Sequence, residues 1–246
     1  MTDIETHFLH QTNLLDGSLH LTEEQLRKLH IYYENLIEWN KHINLTAITE
    51  ESDVYTKHFL DSLSIFQIVP RETFKKRSII DIGTGAGLPG IPLAIVMPET
   101  NVTLMDSLGK RIRFLENLSN QLGLINVSCI HARAEDLARD KKYRDKYDCV
   151  VSRAVSNLST LSEYCIPFIH EGGLFVAYKS EKTMESEEWT RGIKAADKLG
   201  AQVINQKRFM LPDTDYARVL ILFEKQRTTP DKYPRKAGVP SRDPLK

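Results

Sequence analysis

The stretch Asp81-Ile-Gly-Thr-Gly-Ala-Gly-Leu-Pro-Gly90 (DIGTGAGLPG) follows a short apolar run that begins at Ser78. A strand that passes into glycines and then into a helix lets the backbone come close to a ligand. Three kinds of ligand are compatible with such a turn: a nucleoside triphosphate, a dinucleotide, or a cofactor without phosphate groups. The identity of this ligand decides the fold family and the chemistry.

The residues around the glycines narrow the choice of ligand. A triphosphate-binding loop needs Lys-Ser/Thr after its last glycine, but no lysine follows until Lys110. A dinucleotide fingerprint needs a small residue at the place that Leu88 occupies. Glycines at every second position are typical of methyltransferases that use S-adenosyl-L-methionine, and an acid at Asp81 suits a cationic ligand better than a phosphate. A plain strand–helix turn is the alternative. The candidate cofactor-binding residues here are Asp81, Gly83, Gly85, Gly87 and Leu88.

Strands and helices alternate from residue 78 onward. This alternation predicts a mostly parallel sheet with helices on both faces, ended by a hairpin, as in the Rossmann-like class I methyltransferase fold of the α/β class. The predicted strands are 78–82, 101–106, 126–132, 147–154, 172–179, 201–211 and 217–225, and the predicted helices between them are 91–97, 110–123, 158–169 and 184–199.

The first third of the chain has helical periodicity only. Residues 22–40 follow a capping-box pattern at Thr22 and Gln25, and residues 51–69 form a second amphipathic segment. We therefore predict a helical N-terminal region over residues 1–72, a methyltransferase domain over 73–226 and a basic C-terminal tail over 227–246.

Two more acids occur where such a fold would need them. Asp106 ends the second strand, about 20 residues after the glycines, where a carboxylate can accept hydrogen bonds from ribose hydroxyls. Ala134 and Glu135 follow the third strand, where an acid and a backbone amide would recognise an adenine ring. Capping of a nearby helix is the alternative for each acid taken alone.

Composition limits the classes of function. The chain has 246 residues, with 33 basic and 33 acidic side chains, and this balance argues against a protein that coats nucleic acid. The tail is an exception, since from Lys225 onward the sequence has seven basic residues and only two acidic ones; the tail is either a solvated segment or an RNA contact.

No apolar run would cross a bilayer, and the acidic N-terminus is unlike a secretory signal, so we expect a cytoplasmic protein without membrane contact. We expect reduced thiols at the three cysteines and no metal site.

The segment after the fourth strand faces the methyl acceptor in this kind of fold. It reads Ser152-Arg153-Ala154-Val155, without the Asn/Asp-Pro-Pro-aromatic pattern of amino-group methyltransferases or the Pro-Cys pattern of base-carbon methyltransferases. Arg153 would suit an electron-rich heterocycle or a carboxylate, and it is also a candidate cofactor-binding residue; a structural salt bridge is the alternative.

With these residues in place, the chain resembles the RsmG (GidB) family of bacterial small-subunit ribosomal RNA methyltransferases over almost its whole length. Two departures are Ser180 after Lys179, where the family often has glycine, and Asp243 in a usually more basic tail. The matching stretches are 44–46 (NLT), 58–62 (HFLDS), 81–90, Lys110-Arg111 with Phe114-Leu115, 133–136 (RAED), 152–155 (SRAV) and 233–238 (YPRKAG).

The resemblance implies methylation of the 7-position nitrogen of a guanosine in the 530 loop of 16S rRNA, guanosine 527 in rRNA numbering. The partner would be 16S rRNA or a small-subunit precursor, and we expect a monomer. Because that nitrogen carries a lone pair and no proton, no general base is expected, and Arg153 and Lys179 would hold the base or a phosphate. Asn44, His58 and Asp61 could line the site; for His58 and Asp61, a local hydrogen-bonded pair that holds the helical region against the sheet is the alternative. Candidates for RNA contacts are Lys110, Arg111, Arg113, Arg218, Arg235 and Lys236.

Three other functions compete with this interpretation. A methyltransferase for another RNA, a protein or a small molecule is the main alternative, and a small substrate would leave the basic tail without a role. An NAD-dependent oxidoreductase is disfavoured by Leu88, and a non-catalytic RNA-binding module is disfavoured by Asp106 and Glu135.

Overall fold

The centre of the protein is one seven-stranded sheet. The structure, a computed structural model, describes residues 2–153 and 156–246, so Ala154 and Val155 lie outside the described residues. The strand order is β3-β2-β1-β4-β5-β7-β6; the first five strands are parallel, and β7 is antiparallel to both neighbours. The mostly parallel sheet and its terminal hairpin are therefore confirmed. The strands are β1 (Ser78–Ile82), β2 (Asn101–Asp106), β3 (Val127–His131), β4 (Tyr147–Arg153), β5 (Ile169–Ser180), β6 (Ala201–Met210) and β7 (Ala217–Lys225).

Helices cover both faces of the sheet, so that two apolar clusters form, one on each side. The α-helices are α1 (Asp3–Leu15), α2 (Glu23–Asn40), α3 (Glu51–Val54), α4 (Asp61–Leu63), α5 (Gly90–Val96), α6 (Gly109–Gln121), α7 (Ala134–Leu137), α8 (Leu158–Cys165), α9 (Glu187–Leu199) and α10 (Val239–Arg242). No helix among the described residues is both long enough and apolar enough to cross a membrane.

Two predicted elements differ from the structure. The helix predicted over 51–69 is broken into α3, a π-helix at Tyr55–Leu60, α4 and a 3₁₀ turn at Ser64–Gln67. The π-helix shifts the phase of the side chains and buries both His58 and Asp61, which an uninterrupted apolar periodicity does not anticipate. β5 begins at Ile169 rather than at residue 172, because α8 ends at Cys165 and the following 3₁₀ turn leads directly into the strand.

The helical N-terminal region supports the glycine turn after β1. The capping box at Thr22 and Gln25 starts α2 as predicted, and the side chain of Gln25 donates to the carbonyl of Ile95 on α5. From the middle of α2, the fully buried Tyr32 hydroxyl donates to the carbonyl of Ala86 at 2.6 Å. The position of the glycine turn therefore depends on a helix about fifty residues earlier in the chain.

Candidate active site

The glycine turn is organised by Asp81. Its carboxylate is fully buried, and one oxygen accepts hydrogen bonds from the Thr84 hydroxyl at 2.7 Å and the Gly90 amide at 2.8 Å. Burial raises the pKa of Asp81 to about 7, and its other oxygen has no hydrogen-bond partner. Asp81 is not among the residues that line the cavity beside the turn. Its direct contact with a cofactor stays a prediction, and in this structure the carboxylate is directed into the turn.

The alternating glycines serve different purposes. Gly85 has a φ of +61°, and a Cβ there would meet only the Gly83 carbonyl at 4.0 Å, so the backbone lies open to the cavity. Gly87 instead faces the core: a Cβ would lie 2.7 Å from Ile91 and 2.8 Å from Leu115. Gly85 thus leaves room for a ligand, whereas Gly87 lets α5 and α6 pack closely.

A first cavity of about 450 Å³ lies at the carboxyl ends of β1 to β4. This is the edge of a parallel sheet where ligands usually bind. The first cavity is lined by Leu45, Thr46, His58, Ile82, Gly83, Thr84, Gly85, Ala86, Leu88, Met105, Asp106, Ser107, Arg111, Ala132, Arg133, Ala134, Glu135, Arg153, Tyr164, Gly238 and Ser241.

Asp106 stands at the centre of the first cavity. Its carboxylate accepts hydrogen bonds from the Gly85 amide at 3.0 Å and the Leu108 amide at 2.9 Å, and it pairs with Arg111 at 3.2 Å. The Arg111 Nε is buried without a hydrogen-bond partner. Arg111, predicted from the sequence as an RNA contact, thus lines the first cavity, whereas its Nε is buried in the protein. Its contact with RNA stays a prediction.

Glu135 also lines the first cavity. Ala134 and Glu135 start α7, both are buried, and a Glu135 carboxylate oxygen accepts a hydrogen bond from the Gly238 amide at 2.8 Å. Apolar side chains such as Ile82 and Met105 line the same cavity as Asp106 and Glu135. Acidic and apolar side chains around one cavity, together with an open glycine backbone, fit a nucleoside joined to an amino acid.

A second cavity of about 730 Å³ adjoins the first, and His58 and Arg153 line both. Its charged lining is mostly cationic, with four lysine or arginine side chains against two carboxylates. The second cavity is lined by Ile48, Lys57, His58, Asp61, Arg153, Ser156, Tyr178, Lys179, Ser180, Thr183, Glu188, Tyr216 and Arg218.

A buried carboxylate organises the cations of the second cavity. The Asp61 oxygens accept hydrogen bonds from Arg153 at 2.9 Å and from Arg218 at 2.9 Å. Asp61 is 4% exposed, and Arg153 also donates to the Lys57 carbonyl. The two guanidinium groups therefore have fixed positions although they come from different strands, β4 and β7, that are not neighbours in the sheet.

His58 is neutral where the two cavities meet. Its Nε2 lies 2.7 Å from the Thr46 hydroxyl, and its Nδ1 lies 3.1 Å from the Lys57 carbonyl and 3.4 Å from an Arg153 nitrogen. Burial, reinforced by the positive charge of Arg153, lowers the pKa of His58 to about 4. The imidazole is therefore uncharged at neutral pH, and no direct hydrogen bond joins it to Asp61 among the described contacts.

Lys179, at the end of β5, reaches the same cavity. Its ammonium donates to the Ser156 carbonyl at 2.6 Å and pairs with Glu188 of α9 at 2.7 Å. Glu188 also accepts a hydrogen bond from the Leu158 amide at 2.8 Å, at the start of α8. The ion pair with Glu188 fixes the position of the Lys179 ammonium on the wall of the second cavity.

The other predicted residues occupy three kinds of position. Lys110 and Arg113 on α6 and Lys236 in the tail are exposed. Asn44 is exposed and lines neither of the two cavities, whereas its neighbours Leu45 and Thr46 line the first. Arg235 pairs with the buried Glu163 of α8 at 2.7 Å.

The sequence analysis did not identify several residues that line the two cavities. Lys57 lies beside the matched HFLDS stretch, and its ammonium is 4.8 Å from the ring centre of Tyr216, which is 39% exposed. Tyr216 also faces Arg218, whose guanidinium carbon is 5.6 Å from the ring centre. A tyrosine two residues before an arginine is a pattern in the sequence that can indicate an RNA contact, but only the fold brings Lys57 to this ring. Gly238 and Ser241 belong to the first cavity although the sequence suggested a tail.

The cysteines take no part in either cavity. Cys149 and Cys165 are buried, and burial raises the pKa of both thiols. Cys129 is partly buried, and its pKa is raised to about 11. Over residues 2–153 and 156–246, no group of three histidine, cysteine or acidic side chains is arranged to hold a metal ion.

Comparison of the sequence with known families gives one match. Residues 25–213 match the family model described as rRNA small subunit methyltransferase G. A relative named ribosomal RNA small subunit methyltransferase G, from Lachnoclostridium phytofermentans, is 48% identical over 92% of this chain and 91% of its own. A relative of the same name from Acetivibrio thermocellus is 46% identical over 94% of this chain and 95% of its own.

Solved structures share the fold at low sequence identity. Trm5b from Pyrococcus abyssi aligns with a TM-score of 0.51 at 16% identity, over 75% of this chain and 52% of that one. The fibrillarin pre-rRNA processing protein of Methanococcus jannaschii aligns with a TM-score of 0.51 at 13% identity, over 65% of this chain and 70% of that one. These likenesses concern the sheet and its helices alone.

Proposed function

The chain belongs to the rRNA small subunit methyltransferase G family, and from this premise we propose that it methylates the 7-position nitrogen of a guanosine in the 530 loop of 16S rRNA, guanosine 527 in rRNA numbering. The observation that carries the proposal is the pair of adjoining cavities that share His58 and Arg153. One cavity suits a nucleoside joined to an amino acid, and the other is cationic and open. A methyl donor and an RNA base can therefore meet at the shared wall.

The cofactor is S-adenosyl-L-methionine, which supplies an electrophilic methyl group on a sulfonium. Asp106 would bind the ribose hydroxyls, and Ala134 with Glu135 would bind the adenine. Gly83, Gly85 and Leu88 would hold the methionine end. The open backbone at Gly85 supports this assignment, since it offers room that the protein itself leaves unused.

The second cavity is assigned to the RNA. Its cations suit phosphate oxygens, and the partly exposed ring of Tyr216, near Lys57 and Arg218, suits stacking with a base. A loop guanosine is easier to splay out than a paired one, as access to this cavity requires. Arg153 and Lys179 would hold the guanine or a neighbouring phosphate, while the exposed Lys110, Arg113 and Lys236 would contact the RNA backbone. We also propose that the protein acts in the cytoplasm on rRNA or a small-subunit precursor.

No residue needs to remove a proton in this reaction. The 7-position nitrogen of guanine carries an in-plane lone pair and no hydrogen, so alignment and exclusion of water are the tasks left to the protein. The neutral state of His58 agrees with this, because an imidazolium there would repel both Arg153 and the sulfonium. The positive charge of Arg153 would bind the base through its acceptor atoms.

His58 is expected to give the rate of methyl transfer no pH dependence between about pH 6 and 8, whereas Asp81, whose pKa is about 7, titrates inside this range. His58, with a pKa of about 4, stays neutral over this range, and it becomes charged only as the pH falls toward that value. The measurement is single-turnover transfer to 16S rRNA fragments with saturating cofactor. A one-proton step inside this range that disappears in His58→Gln would show that the histidine acts as a base after all.

The substrate itself is tested by mass mapping of 16S rRNA from cells with and without the gene. The fragment that contains the 530 loop is expected to lose one methyl group, found as 7-methylguanosine, when the gene is absent. Complementation with the unchanged gene should restore it, and complementation with Arg153→Ala at equal protein level should not. An unaltered 530 loop would refute the assignment, and loss of a methyl group elsewhere would identify another RNA substrate.

A further inference from the structure

The last residues of the chain are built into the cofactor site. We define the C-terminal strap as residues 233–245; it crosses α8 and ends in the core, where Tyr233 and Leu245 are buried. Carbonyls along the strap accept hydrogen bonds from the body of the protein. The donors are Arg139 to Pro234, Arg144 to Tyr233, Thr160 to Pro240 and Ser159 to Leu245. A basic composition therefore coexists here with an ordered, packed path.

Arg235 is the main polar anchor of the strap. Its Nε and one terminal nitrogen donate to the Glu163 carboxylate at distances of 2.7 to 3.1 Å, and its backbone amide donates to the same group at 2.7 Å. The Glu163 side chain has no exposed surface, and this pairing raises the pKa of Arg235. A bidentate pair to a buried carboxylate fixes both position and orientation.

The strap turns just after this anchor and reaches the first cavity. Gly238 has a φ of +80°, a conformation that favours glycine, and its amide donates to Glu135 at 2.8 Å. Gly238 and Ser241 line the first cavity together with Glu135 and Tyr164. The wall beside the proposed adenine contact is therefore made by two segments that lie a hundred residues apart in the sequence.

We propose that Arg235 is a positioning residue for the cofactor: by pairing with Glu163 it holds Gly238 and Ser241 as a wall of the first cavity. This inference rests on the proposed cofactor role of that cavity. It changes the expectation for Arg235, whose guanidinium is directed to a buried carboxylate and to Asp243 instead of to solvent. Its neighbour Lys236 is exposed and keeps the expected RNA contact.

The first test is the affinity for S-adenosyl-L-homocysteine measured by isothermal titration calorimetry. Arg235→Ala is expected to raise the dissociation constant about tenfold, because the cavity wall must then be ordered on binding. Lys236→Ala, which changes the next charge without touching Glu163, should leave this constant unchanged. Arg235→Lys, which retains an ion pair, should recover part of the loss. Equal affinity of Arg235→Ala and the unchanged protein would overturn the inference.

Because Arg235→Ala also leaves Glu163 buried without its partner, a second measurement uses the unchanged protein. Saturating S-adenosyl-L-homocysteine should slow tryptic cleavage after Lys236 and Arg242 severalfold, since coupling between cofactor and strap is reciprocal. Cleavage at Lys75, an exposed residue before the start of β1 that lines neither cavity, serves as the internal reference. Equal slowing at Lys75 and at the strap, or none at either, would overturn the coupling. If the unchanged protein binds no cofactor at all, the proposed function fails instead.

Discussion

Asp61→Ala is expected to destabilise the protein by about 2 to 3 kcal/mol and to lower methyl transfer about 100-fold. Asp61 is buried between Arg153 and Arg218, and its removal leaves two like charges facing each other without a counter-ion. The expected loss of stability lies below that for a fully buried triad because the Arg218 side chain is 25% exposed. The loss of activity follows because both guanidinium groups leave their positions in the second cavity.

Urea unfolding and single-turnover transfer would measure the two effects of Asp61→Ala separately. Asp61→Asn keeps the shape and one acceptor oxygen, and should therefore fall between the alanine variant and the unchanged protein. Asp197→Ala is the matched control, since it removes an exposed carboxylate from an arginine pair on the surface and should change stability by less than about 0.5 kcal/mol. If a folded Asp61→Ala protein transferred the methyl group at the normal rate, Asp61 would have no role in the reaction.

The second large effect is expected for the cofactor. Asp106→Ala should raise the dissociation constant for S-adenosyl-L-methionine about 100-fold. It removes the proposed ribose contacts, and it also frees the Gly85 amide and Arg111, which the carboxylate now holds. Calorimetric titration of the purified protein measures the change directly.

Two further variants separate the causes of that loss. Asp106→Asn retains an acceptor for the Gly85 amide, so it should lose less affinity than alanine if the position of the turn matters. Asp136→Ala changes an exposed acid next to Glu135 and should bind cofactor normally. An Asp106→Ala protein with unchanged affinity would refute the ribose role.

Local patterns were sufficient for most of the framework. Short, nearly continuous apolar runs predicted the positions of β1, β2 and β4. Such runs are expected because a parallel strand inside the sheet is covered on both faces, so that most of its side chains are buried. The spacing of Gly85, Asp106 and Glu135 located the first cavity, because all three follow parallel strands that end at the same edge of the sheet.

The sequence does not give the direction of a side chain that can turn in either of two ways. The carboxylate of Asp81, a predicted cofactor contact, is directed into the turn and accepts hydrogen bonds from Thr84 and Gly90. Arg111, a predicted RNA contact, lies in the first cavity beside Asp106. In both cases the sequence position was informative and the side-chain direction was not, since direction depends on which partner the packed structure supplies.

The sequence by itself determined the α/β class, the hairpin at the end of the sheet, the glycine turn and the family to which the chain belongs. Only the tertiary structure decided that Asp61 joins Arg153 to Arg218 and that Glu163 takes Arg235 away from solvent. The physical reason is range. Strand and turn patterns express interactions between near neighbours in the chain, whereas an ion pair between residues far apart forms only where packing brings them together and excludes water.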